Sequence, residues 1–199
     1  MRTLMIAAAM SGLFATTALA APRPGQPAPD FSLTAASGET VALSDYAGKT
    51  VVLEWTNADC PFVQKHYGSG NMQSLQKRAS RNDVVWLSVI SSAPGKQGHV
   101  DAAGANELTM SRKAQPAQVL LDEDGEVGRL YGAKTTPHMY VVDPEGTLRY
   151  AGAIDTIPST DQADIARADN YVTAALDAVR SGREVEVTQS QPYGCSVKY

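Results

Sequence analysis

Two runs of apolar, β-branched and aromatic residues, Thr50–Trp55 (TVVLEW) and Val84–Ile90 (VVWLSVI), most constrain how this chain can fold. Both have the length and composition of buried strands. Between them Met72, Leu75 and Ala79 recur at helical spacing. Phe31–Leu33 and Thr40–Leu43 alternate apolar and polar residues around Ser37-Gly38, which predicts a hairpin. Ser44–Lys49 reads as a helical turn. A loop is expected over 91–104, a helix over 105–114, a short strand over 118–121 and a short helix over 127–131. His138–Val142 and Leu148–Ala153 are strands joined by the turn sequence Asp143-Pro144-Glu145-Gly146. Ile165, Ala168, Val172, Ala175, Leu176 and Val179 share one face of a helix expected over 164–180. This order calls for an α/β fold, a mixed sheet flanked by helices on both faces.

The N-terminus sets the compartment. Arg2 precedes an Ala-rich apolar stretch from Leu4 to Leu19, and Ala18-Leu19-Ala20 offers the small residues that a signal peptidase reads. Residues 1–20 are expected to be a signal peptide, leaving a domain at 21–182 and a tail at 183–199. The product would be periplasmic or secreted, with no membrane anchor after cleavage. Losing Arg2 moves the net charge from −4 to −5. With no basic block, the chain is not expected to bind nucleic acid. An oxidising compartment lets thiols pair, and Cys60 and Cys195 are the only two cysteines.

Several segments resemble a known superfamily. TVVLEWTNADCPFV resembles the strand-to-helix active-site segment of thioredoxins, and Thr136-Pro137-His138-Met139-Tyr140 resembles the cis-proline loop and the strand after it. The lead-in PGQPAPDFSLTAASGETVALSDYAGKTVVL is similar to the opening of the peroxiredoxin branch, the alkyl hydroperoxide reductase/thiol-specific antioxidant (redoxin) family. The resemblance implies a thioredoxin-like fold with an N-terminal β-hairpin, a reactive Cys60 and a cis Pro137 opposite it. It also implies that the backbone at Thr136 is open to pair with a thiol substrate. The departures are specific. Val63 stands where a thioredoxin has its second cysteine. Asn57 stands where a peroxiredoxin has Thr or Ser, and Pro137 where it has Arg.

Cys60 sits where a strand hands over to a helix, with Pro61 in the first turn. Unpaired N–H groups and the helix dipole there favour a thiolate, the nucleophile of disulfide exchange and peroxide reduction. Lys65 and His66 add positive charge if they face the sulfur, and Asp59 opposes them. Asn57 is a candidate donor to the sulfur. Cys195 is a candidate resolving thiol or, alternatively, half of a permanent staple, worth up to about 4–5 kcal/mol for so long a loop. Glu54 shares a strand face with Val52, opposite Val51, Leu53 and Trp55. There it is either a buried proton shuttle for Cys60 or a solvated or ion-paired carboxylate. His66, His99 and His138 have no metal-ligand spacing, and no metal or cofactor is expected. The expected activity is thiol oxidation–reduction, with protein or small-molecule thiols, disulfides or peroxide as partners. The alternative is a non-catalytic binding module stapled by its two cysteines.

Overall fold

A computed structural model describes residues 21–199, and the expected signal peptide at 1–20 lies outside the described residues. Nine strands and five α-helices follow in chain order: β1 Ser32–Ala35, β2 Thr40–Ala42, β3 Val51–Trp55, α1 Pro61–Gly68, α2 Asn71–Arg81, β4 Val85–Ile90, α3 Ala102–Ser111, β5 Gln118–Leu121, α4 Glu126–Tyr131, β6 Thr135–Thr136, β7 His138–Val142, β8 Leu148–Gly152, α5 Tyr171–Arg180 and β9 Cys195–Ser196. Seven strands form one mixed sheet in the order β2-β1-β5-β4-β3-β7-β8. β3, β4 and β5 run parallel, and the remaining pairs are antiparallel. This is the thioredoxin-like architecture, with the N-terminal hairpin added at one edge.

β3 is buried along its whole length, because helices cover both faces of the sheet. Val52, Trp86, Met139 and Val141 pack against α1, α2 and α5. Val51, Leu53, Trp55, Leu87 and Val89 pack against α4 and the hairpin region. The alternation expected for TVVLEW therefore holds, with Glu54 on the α1 and α2 side.

The helix expected over 164–180 is two elements. A 3-10 turn covers Gln162–Arg167, and α5 begins only after Asn170, whose side chain accepts the Thr173 N–H and caps it. Main-chain bonds stop the helix from running through. The Thr156 N–H donates to the Asp169 carbonyl, and the Tyr171 N–H donates to the Ile154 carbonyl. The apolar spacing was correct for α5, but tertiary pairing with residues 154–156 took the backbone that the N-terminal half needed. α3 starts earlier than its apolar pattern, at Ala102, because Asp101 caps it through the Gly104 N–H.

No helix among the described residues is long and apolar enough to cross a membrane. The core argument yields a direct test. Met72 is wholly buried, whereas Met110 is 72% exposed. Replacing Met72 by alanine should cost about 2–5 kcal/mol in urea denaturation. Replacing Met110 by alanine should cost no more than about 0.5 kcal/mol.

Candidate active site

Cys60 is the residue just before α1, in an extended conformation, and Pro61 opens the helix. Its carbonyl accepts the Gln64 N–H, the first helical bond. The side chain lies under three segments and is wholly buried. Sγ donates to the Thr136 carbonyl at 2.9 Å. It also accepts the Cys195 N–H at 3.4 Å. The Thr136–Pro137 peptide is cis. Four of the six residues singled out from sequence, Cys60, Thr136, Pro137 and Cys195, thus meet at one point. Both cysteines are free thiols.

The other two lie close by with different contacts. Asn57 Oδ1 accepts the Asp59 N–H at 2.8 Å, and its Nδ2 donates to the Gln97 carbonyl at 3.1 Å. Asp59 in turn accepts the Gly98 N–H. Asn57 therefore ties the loop before Cys60 to the loop after β4, and both ends of its amide are engaged away from the sulfur. Gly98 has a positive φ, and a Cβ there would overlap the Asn57 amide.

Glu54 is wholly buried and meets neither solvent nor a cation. Its carboxylate accepts from Tyr67 Oη at 2.9 Å, Trp86 Nε1 at 2.8 Å and Ser88 Oγ at 3.0 Å. Gln76 Nε2 stands at 3.5 Å. None of these bonds reaches Cys60. Tyr67 is on α1, so the carboxylate ties the helix that carries the thiol to the two central strands. Burial pushes the Glu54 pKa up, and the hydrogen bonds from Trp86, Tyr67 and Ser88 only partly offset it.

Tail residues complete the site. β9 pairs antiparallel with β6, with Cys195 opposite Thr136. Gly194 has a positive φ, and a Cβ there would overlap the Thr136 carbonyl, so only glycine lets the tail come this close. Downstream, the Val197 N–H donates to Lys134 O, the Ala93 N–H donates to Lys198 O, and Tyr199 Oη donates to Ala133 O at 2.7 Å. With Tyr193 Oη donating to Asp155 upstream, the tail is a strap anchored on both sides of Cys195.

The two thiols differ electrostatically. Burial pushes the Cys60 pKa up. Hydrogen bonds from the Cys195 side chain, the N–H groups of Cys195 and Val63 and the Thr136 side chain outweigh burial, and they hold the thiol below its ordinary value of 9.0. The Val63 N–H is one of the unpaired donors of the first turn, as the helix-start argument requires. Cys195 is pushed up to about 11 by burial and by its neighbour Cys60. Cys60 is thus the better nucleophile and the better leaving group near neutral pH. Lys65 and His66 turn away from the sulfur and approach Asp155 instead. Asp155 was not singled out from sequence; a lone acid after a strand carries no periodic signal. Among the described residues, no group of three His, Cys, Asp or Glu side chains is gathered as a metal site requires.

Residues 24–151 match the model of the AhpC/TSA family. The chain is 30% identical over 126 residues to the thioredoxin-like protein YneN of Bacillus subtilis, covering 63% of this chain and 68% of that one. It is 28% identical over 136 residues to a thioredoxin peroxidase of Fasciola hepatica, covering 64% and 69%. Among solved structures, an uncharacterized conserved protein from Geobacillus kaustophilus superposes with a TM-score of 0.74 at 26% identity, covering 89% of this chain and 92% of that one.

Two titrations follow from the geometry. In reduced protein, thiolate absorbance should place the Cys60 midpoint below 9.0, and Cys195→Ala should move it up by removing a hydrogen bond to the sulfur. An unmoved midpoint would show that the Cys195 thiol does not stabilise the thiolate. For Glu54, a raised folded pKa means that the native state holds a proton which the unfolded chain has released. Stability should therefore fall as pH rises from about 4.5 through the folded pKa. Denaturant midpoints measured across that range should show the decline in the wild type, and Glu54→Gln should flatten it.

Proposed function

The chain belongs to the AhpC/TSA family, and on that premise we propose that it is an exported thiol–disulfide oxidoreductase working through Cys60 and Cys195. The observation that carries this reading is the Cys195 N–H on Cys60 Sγ at 3.4 Å, opposite the Thr136 carbonyl. It supplies the missing local cysteine from the tail. The Cys60 thiolate attacks one sulfur of a substrate disulfide and displaces the other as thiolate. Cys195 then loses its proton and attacks Cys60 Sγ of the mixed disulfide, expelling the second substrate thiolate. The substrate gains two electrons and leaves as two thiols. The protein keeps a Cys60–Cys195 disulfide, which an external dithiol reduces.

Exchange is favoured over peroxide reduction by what surrounds the sulfur. Breaking an O–O bond develops negative charge on the departing oxygen, which a cation stabilises. The partners of Cys60 are a thiol, main-chain groups and Thr136; the nearest cation in sequence, Lys65, faces Asp155, and His66 beside it is neutral near pH 7. A departing thiolate needs less help. Thr136 and Pro137 present the backbone against the thiol pair, Asn57 shapes the loop before it, and Glu54 holds α1 in place. We place this chemistry in the periplasm or outside the cell, because residues 1–20 have the pattern of a cleaved signal peptide. Residues 21–182 form the catalytic domain, and 183–199 bring Cys195 to it.

The second reading, a binding module stapled by Cys60–Cys195, draws on the dense anchoring of the tail. Redox behaviour separates the two. A working pair should be reduced by dithiothreitol in native buffer and reoxidised by oxidised glutathione, whereas a staple should resist reduction until the protein unfolds. Stopped-flow mixing of reduced protein with hydrogen peroxide should give a rate no faster than that of free cysteine. A much faster rate would reassign the substrate to peroxide.

A further inference from the structure

Away from the sulfur, a buried polar cluster that the proposed mechanism leaves unused is centred on Asp155. Asp155, Lys65 and His66 are all buried. Lys65 Nζ lies 3.7 Å and His66 Nε2 3.8 Å from Asp155 Oδ2. Lys65 also donates to the Ile157 carbonyl at 3.1 Å. Asn71 Nδ2 is 2.8 Å from His66 Nδ1, which as acceptor leaves the ring proton on Nε2, facing Asp155. The other oxygen, Oδ1, accepts the Ile157 N–H at 3.0 Å and a hydrogen bond from Tyr193 Oη. The Tyr193 ring stands edge-on to Phe62 at 5.7 Å and under Lys65 Nζ at 6.0 Å.

These contacts connect the two halves of the thiol pair. Lys65, His66 and Phe62 are on α1, whose start is Cys60. Tyr193 precedes Cys195 by two residues, with Gly194 between them. We propose that Asp155 and Tyr193 are positioning residues that fix the distance between the Cys60 and Cys195 thiols, by fastening α1 and the tail to one buried carboxylate. Neither hydrogen-bonds the reacting sulfurs. Their effect is to raise the effective concentration of one thiol beside the other. The inference rests on the proposed function, since it needs the pair to cycle.

The electrostatics of the cluster suit a fixed support. Burial lowers His66 to about 4, so the ring is neutral near pH 7 and the cluster holds one cation and one anion. Such a buried pair contributes little net stability, but losing a partner is costly, which favours a unique geometry. The facing titratable groups are Lys65, His66, Tyr193 and Tyr150. The phenol is pushed upward by burial and by the Asp155 carboxylate, so it stays a donor.

The test is the equilibrium between the protein and glutathione. Oxidised glutathione plus the two thiols gives the Cys60–Cys195 disulfide plus two reduced glutathiones, so the equilibrium constant reports the effective concentration directly. Tyr193→Phe keeps the ring and removes one hydrogen bond to a charged group. It should lower the constant measurably, by up to about tenfold if most of that bond's worth couples to the pair, and raise the Cys60 midpoint in a thiolate titration. Asp155→Asn, which also breaks the link to α1, should act in the same direction. Leu120→Val, which loosens the opposite face of the sheet, should lower stability and leave the constant unchanged. A Tyr193→Phe protein with the wild-type constant would overturn the inference and spare the proposed function. A wild-type protein that forms no Cys60–Cys195 disulfide in glutathione would overturn both. A loss of the same size in Leu120→Val would assign the effect to general destabilisation and overturn the inference alone.

Discussion

A buried thiol must find its hydrogen-bond partners within the protein, and the structure depends on how that demand is met at Cys60. Water is excluded, so the sulfur takes what three segments bring: the first turn of α1, the Thr136 carbonyl and the Cys195 N–H. Each contact fixes a different part of the fold. The helix start follows from β3 ending at Trp55 and Pro61 opening the helix. The carbonyl is presented by the cis peptide before β7. The tail must cross the top of the sheet to arrive, and Gly194 is what allows it to lie against Thr136.

The two carboxylates buried on the α1 side of the sheet show how the helix itself is held. Glu54 on β3 takes neutral donors only and binds α1 through Tyr67, while Asp155, after β8, lies beside α1 with Lys65 Nζ at 3.7 Å and the neutral His66 ring at 3.8 Å. Apolar packing by Val63 and Tyr67 sets the height of the helix above the sheet. Packing is non-directional, so it fixes rotation and sliding along the helix axis poorly. The Tyr67 hydrogen bond to Glu54 and the Lys65 hydrogen bond to the Ile157 carbonyl beside Asp155 are directional, and so they help set where the helix start, and Cys60 with it, comes to rest.

Strands and helices with their own apolar period were legible in the sequence. TVVLEW fixed its own face assignment, because alternation and burial on both sides are local properties. Cys60, Thr136 and Pro137 were legible through the segments that resemble the thioredoxin superfamily, and Cys195 because it was the only other thiol. The break at Asn170 was not legible. The apolar residues on both sides of it keep one helical period, and what interrupts them is main-chain pairing with residues more than ten positions earlier. Asp155 and Tyr193 were missed for the same reason. Their meaning lies in who they meet, and neither a single acid nor a single aromatic residue announces a distant partner. Glu54 was placed on the correct face, and burial raises its pKa as the buried-acid reading expects, but its neutral partners come from three other elements and were not legible.

Moving the second thiol from a helix turn to the tail changes what controls the pair. In a C-x-x-C motif both sulfurs ride on one turn of one helix, so their separation is set by local geometry and varies little with the rest of the protein. Here Val63 occupies the position that would carry the second thiol and is given over to the core. The partner thiol arrives on a strap whose bonds include those of Tyr193, Val197 and Tyr199. Its separation from Cys60 is then a tertiary property. Any contact that holds the strap contributes to the closeness of the thiols, and any contact that loosens it lowers their effective concentration before a single bond at sulfur is altered. The same strap covers Cys60, so closeness of the pair and shielding of the nucleophile rise and fall together. A large disulfide substrate that displaces the strap to reach Cys60 also removes the resolving thiol. The strap must return before the mixed disulfide is resolved, which makes tail closure an obligatory step of the proposed exchange for such substrates.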